Sequence, residues 1–77
     1  MAEKLKFQYD AEGDILYITK TEPYPEQQSE ELDDEVVARL NPKTGDIESL
    51  EVLFFSRRLK EETFLELPVS ASLRAAR

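Results

Sequence analysis

Cysteine and histidine are both absent from the 77 residues. Without cysteine there is no disulfide and no thiol nucleophile, and the absence fits a reducing compartment. Without histidine the commonest general base is missing, and no zinc site is on hand to staple a small fold. Glycine occurs only at Gly13 and Gly45, which leaves no glycine-rich phosphate loop. Long apolar runs are also missing. None exceeds Val52-Leu53-Phe54-Phe55, far too short to span a bilayer. The first ten residues alternate charged and apolar side chains, unlike a secretory signal, so a cytoplasmic location is expected. The length allows a single domain over 1–77, with a thin core.

What is abundant is acid. Seventeen Asp and Glu against ten Lys and Arg give a net charge of −7. Residues 1–35 hold eleven acids and three bases, a balance of −8, whereas 36–77 hold six acids and seven bases, a balance of +1. The acidic half repels phosphates, so nucleic-acid binding is not expected. It suits a basic partner protein, and it also keeps a small protein soluble.

Leu5, Phe7 and Tyr9 alternate with Lys4, Lys6 and Gln8, the period-two pattern of a half-buried strand. A polar stretch, Asp10–Asp14, follows as a hairpin turn in which Gly13 is free to take positive φ. Ile15–Thr19 is β-branched and aromatic and predicts the second strand. Pro23 and Pro25 then break the ladder, so 21–31 reads as a long excursion ending in the acidic run Glu30-Glu31-Leu32-Asp33-Asp34-Glu35. A third strand over Glu35–Leu40 turns Val36, Ala38 and Leu40 inward. Pro42 and Gly45 in Asn41–Asp46 predict a type I turn closed by a glycine bulge. The fourth strand runs from Ile47 to Phe54, with Leu50, Val52 and Phe54 as its apolar set. Matching the apolar faces pairs Ala38 with Leu50 and Val36 with Val52. That register leaves an odd number of loop residues, which agrees with a bulge at Gly45. Ser56 could cap a short helix to Glu62, although Arg57 and Arg58 in its first turn oppose the helix dipole. Thr63–Leu67 alternates as a fifth strand would, ended by Pro68. The expected fold is α+β but mostly β: an antiparallel meander of four or five strands with a short C-terminal helical segment.

The runs Tyr9–Ile18 and Leu40–Leu53 resemble the two hallmarks of DUF2283, a family of small bacterial and archaeal proteins. In each, a strand, a polar glycine turn and an apolar strand recur. The resemblance spans about 5–58, leaving 59–77 as an extension, and implies a β-rich domain. It implies no activity, substrate or catalytic residue.

Several constellations invite a functional reading. Asp10, Glu12 and Asp14 look like the start of a calcium loop, but the sixth and twelfth positions are Ile15 and Thr21, where glycine and glutamate are required. A solvated turn accounts for them better. Glu30, Glu31, Asp33, Asp34 and Glu35 form an acidic surface for a basic partner, or simply blunt a strand edge. Arg57, Arg58 and Lys60, with Arg74 and Arg77, pair with the chain's own acids more simply than they form an anion site. Tyr9 and Tyr17 read as packing residues with a wet tip. No catalytic residue, cofactor or metal is expected. The leading function is a non-enzymatic interaction module that self-associates. The alternative is a ligand-binding domain with its pocket between subunits. A homodimer is expected because Leu53 and Phe55 fall on the reverse side of strand four, near Phe64 and Leu65, and a short chain has little with which to cover them.

Overall fold

Alternation between apolar and polar side chains builds the sheet. In the computed structural model, which describes residues 4–76, the elements are β1 (Lys6–Asp10), β2 (Ile15–Thr19), β3 (Gln28–Asp33), β4 (Val36–Leu40), β5 (Ile47–Leu53) and α1 (Phe55–Glu61). The five strands form one antiparallel sheet in the order β1-β2-β5-β4-β3, with one short helix after it. The meander is interrupted once. After β2 the chain passes the end of β5 to the far edge and returns through β3, β4 and β5.

The register sets two faces. Phe7, Ile18, Leu50, Ala38 and Glu30 lie in one cross-strand row, and Tyr9, Leu16, Val52, Val36 and Asp33 in the next. The centre of this face is the core, where Val36, Ala38 and Val52 are at most 1% exposed and Leu50 is 8% exposed. Leu67 and Val69 of the C-terminal segment pack onto it. The reverse face carries a polar row of Lys6, Thr19, Ser49, Arg39 and Ser29, and a mixed row of Gln8, Tyr17, Glu51, Val37 and Glu31. Arg39 Nε and Glu51 Oε2 form an ion pair there at 2.8 Å.

Ala38 pairs with Leu50 and Val36 with Val52, as the two apolar faces require. The extra residue sits elsewhere than expected. Gly45 takes φ +79 within the loop, where its N–H donates to the Asn41 carbonyl at 2.8 Å. The register shift falls beside Leu40, which pairs with Ile47 while Arg39 pairs with Ser49, so Glu48 is the bulged residue. Proline at the loop's start and glycine at its end settle the turn. The bulge then restores the apolar register of the strand.

Four further expectations are corrected. The residues 28–33 form β3 and are not part of the excursion; their polar composition does not prevent pairing, because β4 offers a free edge and tertiary context outweighs strand propensity. Thr63–Leu67 joins no ladder. Its alternation is genuine, since Leu65, Leu67 and Val69 are half-buried between exposed Glu66, Pro68 and Ser70, but it serves an extended segment laid across the core face. Phe54 does not face the core: it is 45% exposed, with φ 54, and ends the strand where the helix begins. In the first turn the positive φ belongs to Asp14, at 56°, and not to Gly13. Gly13 instead permits a close approach: a Cβ there would lie 3.0 Å from the Asp10 carboxylate, which would have to shift by a few tenths of an ångström.

Candidate interaction surface

The polar groups near α1 are committed to holding it in place. Ser56 does not act as the helix cap; Phe54 occupies that position and has no polar side chain to contribute. The acceptors come from the first hairpin. The Phe55 N–H donates to the Asp14 carbonyl at 3.0 Å, the Ser56 N–H to Asp14 Oδ1 at 3.0 Å, and the Ser56 hydroxyl to Asp14 Oδ2 at 2.9 Å. The Tyr9 hydroxyl also donates to Asp14 Oδ1, at 2.5 Å, and its ring meets Phe55 at 5.8 Å between centroids. Hydrogen bonds from Tyr9 and then Ser56 hold the Asp14 carboxyl below its usual range, and the same bond pushes Tyr9 up. Asp10 closes its own turn by accepting from the N–H groups of Glu12 and Gly13. The carboxylates of Asp10 and Asp14 are therefore structural, and no group of three potential metal ligands occurs among the described residues.

The arginines tie α1 to the β3–β4 turn. Arg57 Nη2 lies 3.2 Å from Glu35 Oε2, and Arg58 donates to the Asp34 carbonyl. Arg57 also stacks 4.5 Å above the Phe54 ring. Arg57 thus pairs with an acid of the chain's own first half, whereas Arg58 is held by the backbone carbonyls of Leu53 and Asp34 and not by a carboxylate. Arg77 lies outside the described residues.

A second polar cluster anchors the crossover. Glu48, turned by its bulge, accepts from the Tyr24 hydroxyl at 2.5 Å, Gln27 Nε2 at 3.0 Å and Asn41 Nδ2 at 3.2 Å. Its carbonyl accepts from the N–H groups of Lys20 and Thr21. The bond from Tyr24, followed by that from Gln27, lowers the Glu48 carboxyl's pKa, while the adjacent carboxylate pushes Tyr24 up to about 12. Glu48 was not apparent as a hub in the sequence because its role depends on a bulge between non-local partners.

The structure separates the residues expected at an interface. Leu53 is half-buried on the reverse face, Phe55 packs on Tyr9 beside the core face, and Phe64 and Leu65 lie with Arg58 in a shallow depression below α1. Phe55 leaves the strand because the positive φ of Phe54 turns the chain before the alternation can continue. Glu30, Glu31 and Asp33 are exposed on the edge strand β3, and Asp34 and Glu35 make its turn. The stripe that is both apolar and open lies elsewhere. On the other edge strand, Phe7 and Tyr9 are 61% and 46% exposed, and Leu5, just before the strand, is 45% exposed. Their alternation marks a strand with a core-side face, but not that the strand stands at an edge where the C-terminal segment leaves it uncovered. Beside it runs an open groove of about 680 Å³, bounded by Leu5, Ile18 and Leu50 on the sheet and by Val69 and Leu73 on the C-terminal segment.

No helix among the described residues is long and apolar enough to cross a membrane. Comparison with curated proteins and with solved structures gives no match. The model of a family described as a protein of unknown function, DUF2283, matches residues 6–56, from the first strand to the start of the helix. That span exceeds half of the chain and takes in all five strands and the crossover, and the chain belongs to this family.

Proposed function

We propose that this protein is a small non-enzymatic interaction module that self-associates through the core-side apolar stripe of β1. The observation that carries this reading is the exposure of Leu5, Phe7 and Tyr9 together on one face of an edge strand. Three large apolar side chains in a row on a chain this small favour a covering partner. The reverse face is a poorer candidate: Ile15, Tyr17 and Leu53 adjoin there but are half-buried, and Glu51 sets Val37 apart from them. Chemistry is disfavoured by the absence of histidine and cysteine, and the carboxylates of Asp14 and Glu48 are engaged in holding structure. Light scattering tests the reading. The expected result at about 100 µM is a dimer, well above the dissociation constant of a functional micromolar pair. Phe7→Glu should return it to monomer with its circular dichroism preserved. A monomeric wild type would overturn the reading.

The groove beside the stripe supports a second reading, a ligand site completed by another subunit. A thermal-shift survey of small apolar acids and amines tests it, since a ligand that binds only the folded state raises the midpoint.

A further inference from the structure

We propose that two copies join by antiparallel pairing of β1 with β1 about a two-fold axis at Phe7, so that the two sheets become one. This rests on the self-association reading and adds the edge, the direction and the register.

The sheet has two edges, β1 and β3. The β3 edge carries Glu30, Glu31 and Asp33, and its register breaks between Glu31 and Asp33. Two such edges brought together would set acid against acid, and an irregular strand pairs poorly with its copy. β1 is less guarded: its charged residues, Lys6 and Asp10, are opposite in sign and so need not repel in a paired copy. It contains no proline, and its pairing with β2 is unbroken from Lys6 to Asp10. Joining β1 to the β3 of another copy would place Phe7 beside polar side chains and leave a free edge at each end, giving an open chain of molecules. Joining β1 to β1 closes after two copies.

The side chains of β1 select one register. With Phe7 opposite the partner's Phe7, Leu5 faces Tyr9 on the core side, and the two apolar stripes merge into one band. On the reverse side Lys6 faces Gln8. At each end Lys4 faces Asp10, so a cation meets an anion twice. The neighbouring two-fold registers lose part of this match. Centred on Leu5, Lys4 would face Lys6; centred on Lys6, that lysine would face its own copy. Centred on Gln8, Lys6 would face Asp10, but Leu5 would fall opposite Ala11 of the hairpin turn and leave the apolar band; centred on Tyr9, the pairing would run into that turn.

Because the chain has no native cysteine, a single introduced thiol reports the register cleanly. Residues directly opposite in antiparallel strands lie about 4.5–5.5 Å apart between Cα atoms, within disulfide reach. In this register Phe7→Cys meets itself, whereas Leu5→Cys is displaced from its copy by four residues, roughly 13 Å along the strand. Mild oxidation of the full chain should link Phe7→Cys and leave Leu5→Cys unlinked. Since Phe7→Cys removes an apolar contact, a second pair of variants keeps it. Gln8→Glu faces the partner's Lys6 twice and should tighten the dimer about threefold, while Gln8→Lys should weaken it about as much. A wild-type dimer in which Leu5→Cys links as readily as Phe7→Cys, or in which the two Gln8 variants bind alike, overturns the register and leaves self-association standing. A wild type that stays monomeric at about 100 µM removes both.

Discussion

Asp14 caps a helix from the far end of the chain's family core: its carboxylate accepts from both the backbone N–H and the hydroxyl of Ser56, 42 positions away. A helix of this length gains little from its own backbone bonds. Its first turn holds no acid, and Arg57 and Arg58 carry the wrong charge for that end. The hairpin supplies the missing anion, and Arg57 and Arg58 instead reach the β3–β4 turn. One seven-residue helix thereby fastens two hairpin turns.

Asp14→Ala should therefore loosen α1 more than Ser56→Ala does. The check is amide hydrogen exchange at Phe55–Arg58, which should speed in both variants and most in Asp14→Ala, with a lower thermal midpoint. Unchanged exchange in Asp14→Ala would show that the arginine contacts, the Phe55 backbone bond and packing on Tyr9 suffice to hold the helix.

Acid should weaken the fold through the same groups. Asp14 and Glu48 both have folded-state pKa values below their usual 3.8 and 4.5. A lowered carboxyl pKa contributes stability that is complete above the unfolded value and is lost as pH falls through the folded one. The urea midpoint should accordingly hold steady near neutrality and decline below about pH 4.5. Glu48→Gln should make that decline shallower. An equally steep decline in Glu48→Gln would assign the acid sensitivity to other carboxyls.

Tyr24 offers a test at the opposite end of the pH scale. Its pKa is raised to about 12 by the Glu48 carboxylate, so its contribution is complete below the unfolded value of 10.0 and is lost as pH rises through about 12. Spectrophotometric titration should show a phenolate step near 12 that moves down in Glu48→Gln. A step that stays in place would mean that the Glu48 bond does not form in solution.

Gly45 should tolerate side chains according to their backbone preference and not their size. Its φ is +79, and an added Cβ would meet nothing within 4 Å. Gly45→Val should cost more than about 1 kcal/mol in chemical unfolding, because β-branching resists positive φ. Gly45→Asn should cost clearly less, since asparagine visits the left-handed region more readily. Equal losses would point to an unseen contact.

Val52 is wholly buried at the centre of the sheet. Val52→Ala removes two methyl groups from a core with few other fully buried side chains, and should cost about 2 kcal/mol by transfer and cavity effects together. Denaturant unfolding measures this directly, and a loss below about 0.5 kcal/mol would mean the site collapses around the smaller side chain.

The sequence by itself determined the local pieces. Alternation at Leu5–Tyr9, Val36–Leu40 and Leu50–Val52 marks strands, because a pleated chain turns every second side chain to the same face, and the β-branched and aromatic run Ile15–Thr19 marks another. Proline and glycine in Asn41–Asp46 fix a hairpin, and the apolar residues on either side then allow one register. What depends on partners distant along the chain was decided only in the tertiary structure. β3 is a strand because β4 had an open edge, and the polar run Gln28–Asp33 carries no alternation to announce it. The turn at Phe54 sends Phe55 toward Tyr9 and away from the face of Leu53. Glu48 becomes a hub because a bulge aims it at a crossover two dozen residues earlier. The exposure of Leu5, Phe7 and Tyr9 likewise follows from strand order. A period of two shows which side chains share a face, but only the arrangement of the whole sheet decides whether that face is covered.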